Sequence, residues 1–455
     1  MFDFKNICRQ ALSILIGQCA VVGYAVIDNA IVGRHDTVMY SALSIGVAIY
    51  MSVFIGLIGI VQALLPIAGQ LFGSKNYSEI GRQFRQCVYT AIVIGIVGVS
   101  VLVFPGIILQ LTELTEVQEN MVRNYLMVLA IGFFPAVLFR MYASISQAIS
   151  RPFFVTMLQV GGLGFKLFFN WLFVIQFDMG LAGCALSTTL LNFVFAAIAI
   201  LMLSKHPAFT PLQAIKRLER ISWFDQKALL KLGIPMGLCF FIEVTGFAFM
   251  NIFITRFGSI PLSAAQQNVS QLASILYMIP FSFGIATGAI VAQHLGARNF
   301  RKAQLIGYKG IAVSVAFAAI AGLLIYILRD NVVSIFSKDP LVINAAASLI
   351  VFIAVYQVAD AVQTTTAYTL RAYKIAILPT VLYAISLWGI GLFGGYAITF
   401  NVFGNSPKSL QSPAGFWFAN AISLAVVAVM LLLLFVYVSR QFIRDGQPES
   451  PNTRI

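Results

Sequence analysis

Charge is what this sequence is short of. Only 10% of its 455 residues are Asp, Glu, Lys or Arg, against about 25% in an ordinary soluble domain, while 60% are hydrophobic. That shortage excludes a water-soluble fold. Histidine is scarcer still, with His35, His206 and His294 far apart, and the cysteines (Cys8, Cys19, Cys87, Cys184, Cys239) form no C-x-x-C pair. Neither a disulfide framework nor a thiolate metal site is expected from such spacing. No Walker loop, H-E-x-x-H, G-x-S-x-G or D-D-x-x-D cluster occurs, so ATP hydrolysis and covalent catalysis are not expected, and no cofactor is called for. The net charge of +13 would point to nucleic acid in a soluble protein. In a chain this apolar it points to loop topology, and no nucleic-acid partner is predicted.

What is present in quantity is long apolar sequence. A membrane-spanning helix needs roughly 20 apolar residues. Apolar runs and their breakers predict twelve helices, over 11–33, 40–71, 86–110, 121–148, 153–176, 180–204, 229–255, 262–294, 305–328, 341–371, 375–400 and 413–439. The start MFDFKNICRQ leads into an apolar run without a small-residue cleavage site, which reads as a retained first helix. With the N-terminus on the cytoplasmic side, most basic residues fall in cytoplasmic segments, among them Lys75, Arg82, Arg85, Lys216, Arg298 and Arg301. The positive-inside rule then predicts both termini in the cytoplasm.

The chain also repeats itself. Gln70-Leu-Phe-Gly-Ser-Lys-Asn-Tyr77 matches Gln293-His-Leu-Gly-Ala-Arg-Asn-Phe300 at an offset of 223 residues. The expected fold is an all-α integral membrane protein with twelve transmembrane helices in two pseudo-symmetric six-helix lobes. The lobes are expected at 1–204 and 229–440, with a cytoplasmic linker at 205–228 and a tail at 441–455. Six is even, so both lobes enter from the same side, a transporter design with the substrate path between halves. The linker, containing KRLER, is expected to be a solvated connection.

Scarcity makes the remaining acids informative. Of 16 acidic residues, only Asp28, Glu243 and Asp360 lie inside apolar segments. An ionised carboxylate at the bilayer centre costs at least ~3 kcal/mol, so such groups face cavities and mark ion or substrate pathways. Arg140 and Lys166 are also intramembrane, but no acid shares their segments, so none of the three acids is expected to pair with them. A carboxyl in low dielectric accepts a proton readily; its oxygens also suit sodium or an organic cation, and either use yields exchange. Tyr356 lies one helical turn before Asp360, and Asn170 is polar in the middle of the fifth helix. Aromatic residues are 13% of the chain, suited to flat or cationic molecules, though lipid-facing packing accounts for most of them. Gly69 and Gly73 are expected to let helices approach closely.

These stretches together resemble the multidrug and toxic compound extrusion (MATE) family, in its NorM-like branch. The matching residues are VGYAVIDNAIVG around Asp28, the G-x-x-N loops Gly73 to Asn76 and Gly296 to Asn299, and GIPMGLCFFIEV with Glu243. AAQQ ending at Gln267, YMIP from Tyr277 and YQVADAVQTTTAYTLRAYK from Tyr356 complete the set, in order over roughly 8–440. The resemblance implies a V-shaped, alternating-access antiporter of the bacterial inner membrane, monomeric among its lipids, that expels small organic cations in exchange for sodium or protons. Carried over by position, Glu243, Tyr356 and Asp360 match the C-lobe cation site, with sodium as one candidate occupant. Asp28 with Asn170 matches the N-lobe site, and Gln267 and Asp339 match positions near bound drugs. One departure stands out: the proline usual near the start of the first helix is Ser13 here. A mechanism that bends helix 1 at that proline does not transfer, which favours the C-lobe as the main coupling site. Rival readings are a lipid-linked oligosaccharide flippase, which needs a more cationic cavity, and a major facilitator carrier, whose Asp-Arg-x-Gly-Arg loop is absent. A membrane-embedded enzyme would need clustered metal or nucleophile residues, and a channel would show conductance steps.

Overall fold

The computed structural model describes residues 2–110, 114–216, 218–257, 259–336 and 339–445. Among these the chain is helical, with eleven helices long and apolar enough to cross a membrane and a bent pair that makes the twelfth span. We number the spans α1 (Phe2–His35), α2 (Thr37–Val61 continued by Leu64–Gly73), α3 (Tyr77–Val103), α4 (Glu116–Ile131 and Phe133–Ala148) and α5 (Phe153–Asn170, ending in a π turn over Trp171–Gln176). Then come α6 (Gly180–Lys205), α7 (Trp223–Thr255), α8 (Ile260–Gly296), α9 (Phe300–Ile327) and α10 (Pro340–Ala372). The last are α11 (Ile377–Ala384, a π segment Ile385–Gly394, Gly395–Thr399) and α12 (Pro413–Asp445). The twelve expected helices are all present, longer at several ends where polar turns carry the helix past the apolar run. The protein is a multi-pass membrane protein.

Helix starts follow side-chain chemistry. Asp36 accepts from Val38 N at 2.8 Å ahead of α2, Thr115 and Gln118 form a capping box ahead of α4, and Asp339 accepts from Leu341 N at 2.9 Å ahead of α10. Each such cap contributes about 1 kcal/mol. Helix ends reveal the repeat independently of sequence similarity. Left-handed residues close α2 and α8 at Lys75 and Arg298, α4 and α10 at Ser150 and Lys374, and follow α5 and α11 at Asp178 and Asn401. At the first two pairs the next amide bonds back five residues, Asn76 to Leu71 and Asn299 to His294, Arg151 to Ser146 and Ile375 to Leu370. These shared bonds offset the strain that a left-handed non-glycine residue carries.

The chain divides into two compact units, Ile16–Leu238 and Met1–Leu15 with Cys239–Ile455. Helices α1 and α7 run from one unit into the other.

In the Ile16–Leu238 unit α4 bends by 50° at Gly132. Gly132 N bonds to Leu129 O instead of Val128 O, and the freed carbonyl accepts the Thr189 hydroxyl of α6 at 2.9 Å. Helix backbones meet closely where α2 crosses the first half of α7: a Cβ on Gly59 would sit 2.4 Å from Gly237 Cα. The linker is not a merely solvated connection, as its charge had implied. Arg85 holds Glu219 and donates to Gln213 O at 2.5 Å, Gln86 donates to Arg220 O at 2.9 Å, and Arg82 and Gln83 hold buried Asp225 at 2.5 and 2.8 Å. Polar residues in the first turns of α3 thus strap the linker down.

In the other unit α8 and α10 run unbroken and pack on each other, with α9 and α12 alongside. Pro280 cannot donate to Leu276 O, and that carbonyl instead accepts Gln357 Nε2 of α10 at 2.9 Å. The bond pins α8 to α10 one turn before Asp360.

Two carboxylate sites of opposite character

The first site lies within the Ile16–Leu238 unit. Asp28 of α1 is buried, and Lys166 of α5, only 1% exposed, places Nζ 2.8 Å from Asp28 Oδ1. The expectation that no intramembrane base would pair with these acids is therefore wrong for Asp28. Segment order hid the pairing: the two residues are distant in sequence but face each other across adjacent helices. Lys166 Nζ also donates to Ser187 Oγ at 3.0 Å and Cys184 O at 3.4 Å, and contacts Thr188 Oγ1. Asn170 Nδ2 donates to Asp28 Oδ1 at 2.5 Å, while its own Oδ1 accepts from Ser187. The sequence reading grouped Asp28 with Asn170, and the structure brings them together. It missed Lys166, whose signal was available: Lys166 and Asn170 are four residues apart and share a helix face. Helix α1 is continuous through Ser13.

The second site lies within the other unit. Asp360 of α10 is 3% exposed; Thr364 Oγ1 donates to its Oδ1 at 3.1 Å, and its Oδ2 has no hydrogen-bond partner among the described residues. Glu243 of α7 interacts electrostatically with Asp360 and Arg371 and lies close to the Tyr277 hydroxyl of α8. Tyr356 is buried one turn from Asp360, and its ring meets Trp417 of α12 edge-on at 5.8 Å. Trp417 Nε1 donates to Gln266 Oε1 at 2.8 Å, and Gln266 Nε2 reaches Asn251 Oδ1 at 3.1 Å and Ser270 Oγ at 3.0 Å. Helices α7, α8, α10 and α12 thus meet in one polar ladder. Arg371 is buried over the Tyr368 ring at 4.5 Å and the Phe240 ring at 5.8 Å, and its Nη1 has no hydrogen-bond partner among the described residues.

Sequence reasoning found Glu243, Tyr356 and Asp360 and missed Tyr277, Gln266 and Arg371. Of the adjacent glutamines it chose Gln267, which is exposed, whereas Gln266 is buried. Helical spacing from Val269, Ala273 and Leu276, all buried, would have favoured Gln266. Asp339 is exposed and caps α10; at 1.5 Å per residue it stands roughly 30 Å from Asp360 along that helix. Gln267 lies about 15 Å from Tyr277 along α8 by the same measure. Glu243, Asp360 and Tyr356 carry oxygens of the kind a hard cation takes, and Asp360 Oδ2 has no hydrogen-bond partner among the described residues. Among the described residues no group of three or more His, Cys, Asp or Glu could hold a metal ion.

Twelve spans repeated as two sets of six, with carboxylates buried inside them, are the architecture of a membrane transporter. The MatE family model matches residues 13–172 and 235–397, one segment in each repeat. A probable multidrug resistance protein NorM of Aromatoleum aromaticum is 32% identical over 95% of this chain and 94% of its own. Another of the same description, from Neisseria meningitidis serogroup B, is 29% identical over 97% and 96%. In fold, the eukaryotic MATE transporter AtDTX14 superposes with a TM-score of 0.87 at 19% identity, covering 98% of each chain. The chain belongs to the MatE family.

Proposed function

We propose that this protein is a multidrug exporter of the bacterial inner membrane, with both termini cytoplasmic, that exchanges organic cations for sodium or protons by alternating access. The observation that carries the reading is the Glu243 and Asp360 pair: two acids in one membrane unit, one with a buried oxygen that has no partner. Such an acceptor costs about 1–3 kcal/mol unless something charged or protic binds there, so the site is built to load and unload. In the cycle, an ion taken up at Glu243 and Asp360, with Tyr356 contributing its hydroxyl, displaces the drug. Loss of the ion on the cytoplasmic side restores two negative charges that attract the next organic cation. Gln267 and Asp339 serve as outlying drug contacts, and Asp28 with Asn170 as the matching polar centre of the other unit. The drug-resistance descriptions of the relatives support the substrate class. The flippase alternative is less favoured because the membrane base Lys166 is already neutralised by Asp28.

The test is ethidium efflux from proteoliposomes with a sodium gradient and a pH gradient imposed separately. One of the two is expected to drive efflux in the wild type and neither in Asp360→Asn. Efflux from Asp360→Asn and Glu243→Gln equal to wild type would sink the assignment.

A further inference from the structure

The cluster around Lys166 has the anatomy of a cation site that is already filled. Around one Nζ stand a carboxylate oxygen (Asp28, 2.8 Å), two hydroxyls (Ser187, 3.0 Å, and Thr188) and a main-chain carbonyl (Cys184, 3.4 Å). An all-oxygen shell containing one carboxylate is what a hard monovalent cation requires. Here its centre is an ammonium on a side chain 1% exposed, fastened to α5 by its own backbone. The shell residues are also bonded to one another. Asn170 donates to Asp28 and faces the Ser187 hydroxyl, whose oxygen also lies 2.9 Å from Cys184 O, and none of these residues carries a buried unpartnered polar atom among the described residues. Asp360 in the other unit, by contrast, retains an unpartnered oxygen.

We propose that Lys166 is a resident cation: its ammonium takes the place at Asp28 that a mobile ion would occupy, so the Ile16–Leu238 unit contributes no ion to the cycle. Exchange then runs on the Glu243 and Asp360 pair alone, and this inference rests on that pair being the coupling site. A tethered cation is at an effective concentration that no dissolved ion matches, and it cannot leave. Removing it uncovers a buried carboxylate that must then find a cation from solution.

The experiment is a null-point measurement in proteoliposomes holding the full chain, with the membrane potential clamped at zero and ethidium as substrate. It finds the drug gradient that stops net flux against a fixed gradient of whichever ion supports transport. For the wild type, a tenfold ion gradient is expected to be balanced by about a tenfold drug gradient, one ion per substrate. For Lys166→Met the balancing drug gradient rises to about a hundredfold, because Asp28 now carries a second ion. A ratio that stays at one in active Lys166→Met overturns the proposal. Should Lys166→Met fail to insert, the neutral pair Asp28→Asn with Lys166→Met decides: coupled efflux at the wild-type ratio upholds the proposal, and loss of ion coupling overturns it. Failure of the underlying reading looks different, since Asp360→Asn would then still couple.

Discussion

Asp28 and Asp360 are both carboxylates buried in membrane helices of a repeated fold, and they are treated in opposite ways. Asp28 has an ammonium at 2.8 Å and an amide at 2.5 Å within its unit. Asp360 has one hydroxyl on one oxygen and no partner among the described residues on the other, with a second acid, Glu243, as its electrostatic neighbour. The difference extends beyond the two residues. Apart from Arg85 Nε and the Tyr142 hydroxyl, the buried side-chain polar atoms left without a partner among the described residues all lie in the unit containing Asp360. Several sit on α10 itself, at Gln357, Asp360, Thr365, Thr366, Tyr368 and Arg371. Satisfied polar groups hold a structure in place, and unsatisfied ones mark where it gains by binding something. The unit containing Asp28 bonds its buried polar groups to one another, whereas the unit containing Asp360 leaves several of them open among the described residues.

That contrast can be broken by substitution. The largest effect is expected from Asp360→Asn or Glu243→Gln, each of which should end ethidium efflux from cells while the protein remains in the membrane. Stability should move the other way: Lys166→Ala leaves Asp28 buried and uncompensated and should cost about 3–5 kcal/mol, read as a lowered Tm in detergent. Asp360→Asn removes a carboxylate with an unpartnered oxygen and should leave Tm unchanged or raised; a fall as large as that of Lys166→Ala would erase the distinction between the sites. Within the satisfied unit, Gly59→Val forces a side chain against Gly237 and should cost about 1–3 kcal/mol by the same measurement. The smallest effect is expected from Gln86→Ala, which loses its bond to Arg220 O and should cost about 1 kcal/mol locally. Faster tryptic cleavage at Arg220, with efflux retained, would register the loosened linker.

Much of this was legible without coordinates. The twelve spans follow from apolar runs, because a bilayer leaves backbone polar groups no partner except their own helix. The repeat was readable at Lys75 and Arg298 because the same left-handed turn closes both helices. Asp28, Glu243 and Asp360 stood out because charge inside a membrane is costly wherever it occurs. Partnership was not legible. Lys166 looked unconnected to any acid, Gln266 went unnoticed beside Gln267, and the linker's charges looked solvated until Arg85 and Gln86 were seen to hold it.

Composition and periodicity therefore determined that the chain crosses the membrane, how often, and which acids are out of place, since burying apolar length and stranding a charge are properties of a segment alone. Only the tertiary structure decided which acid is neutralised and which is left open. That depends on what α5 brings to α1 and what α7 brings to α10, distances that sequence separation does not encode.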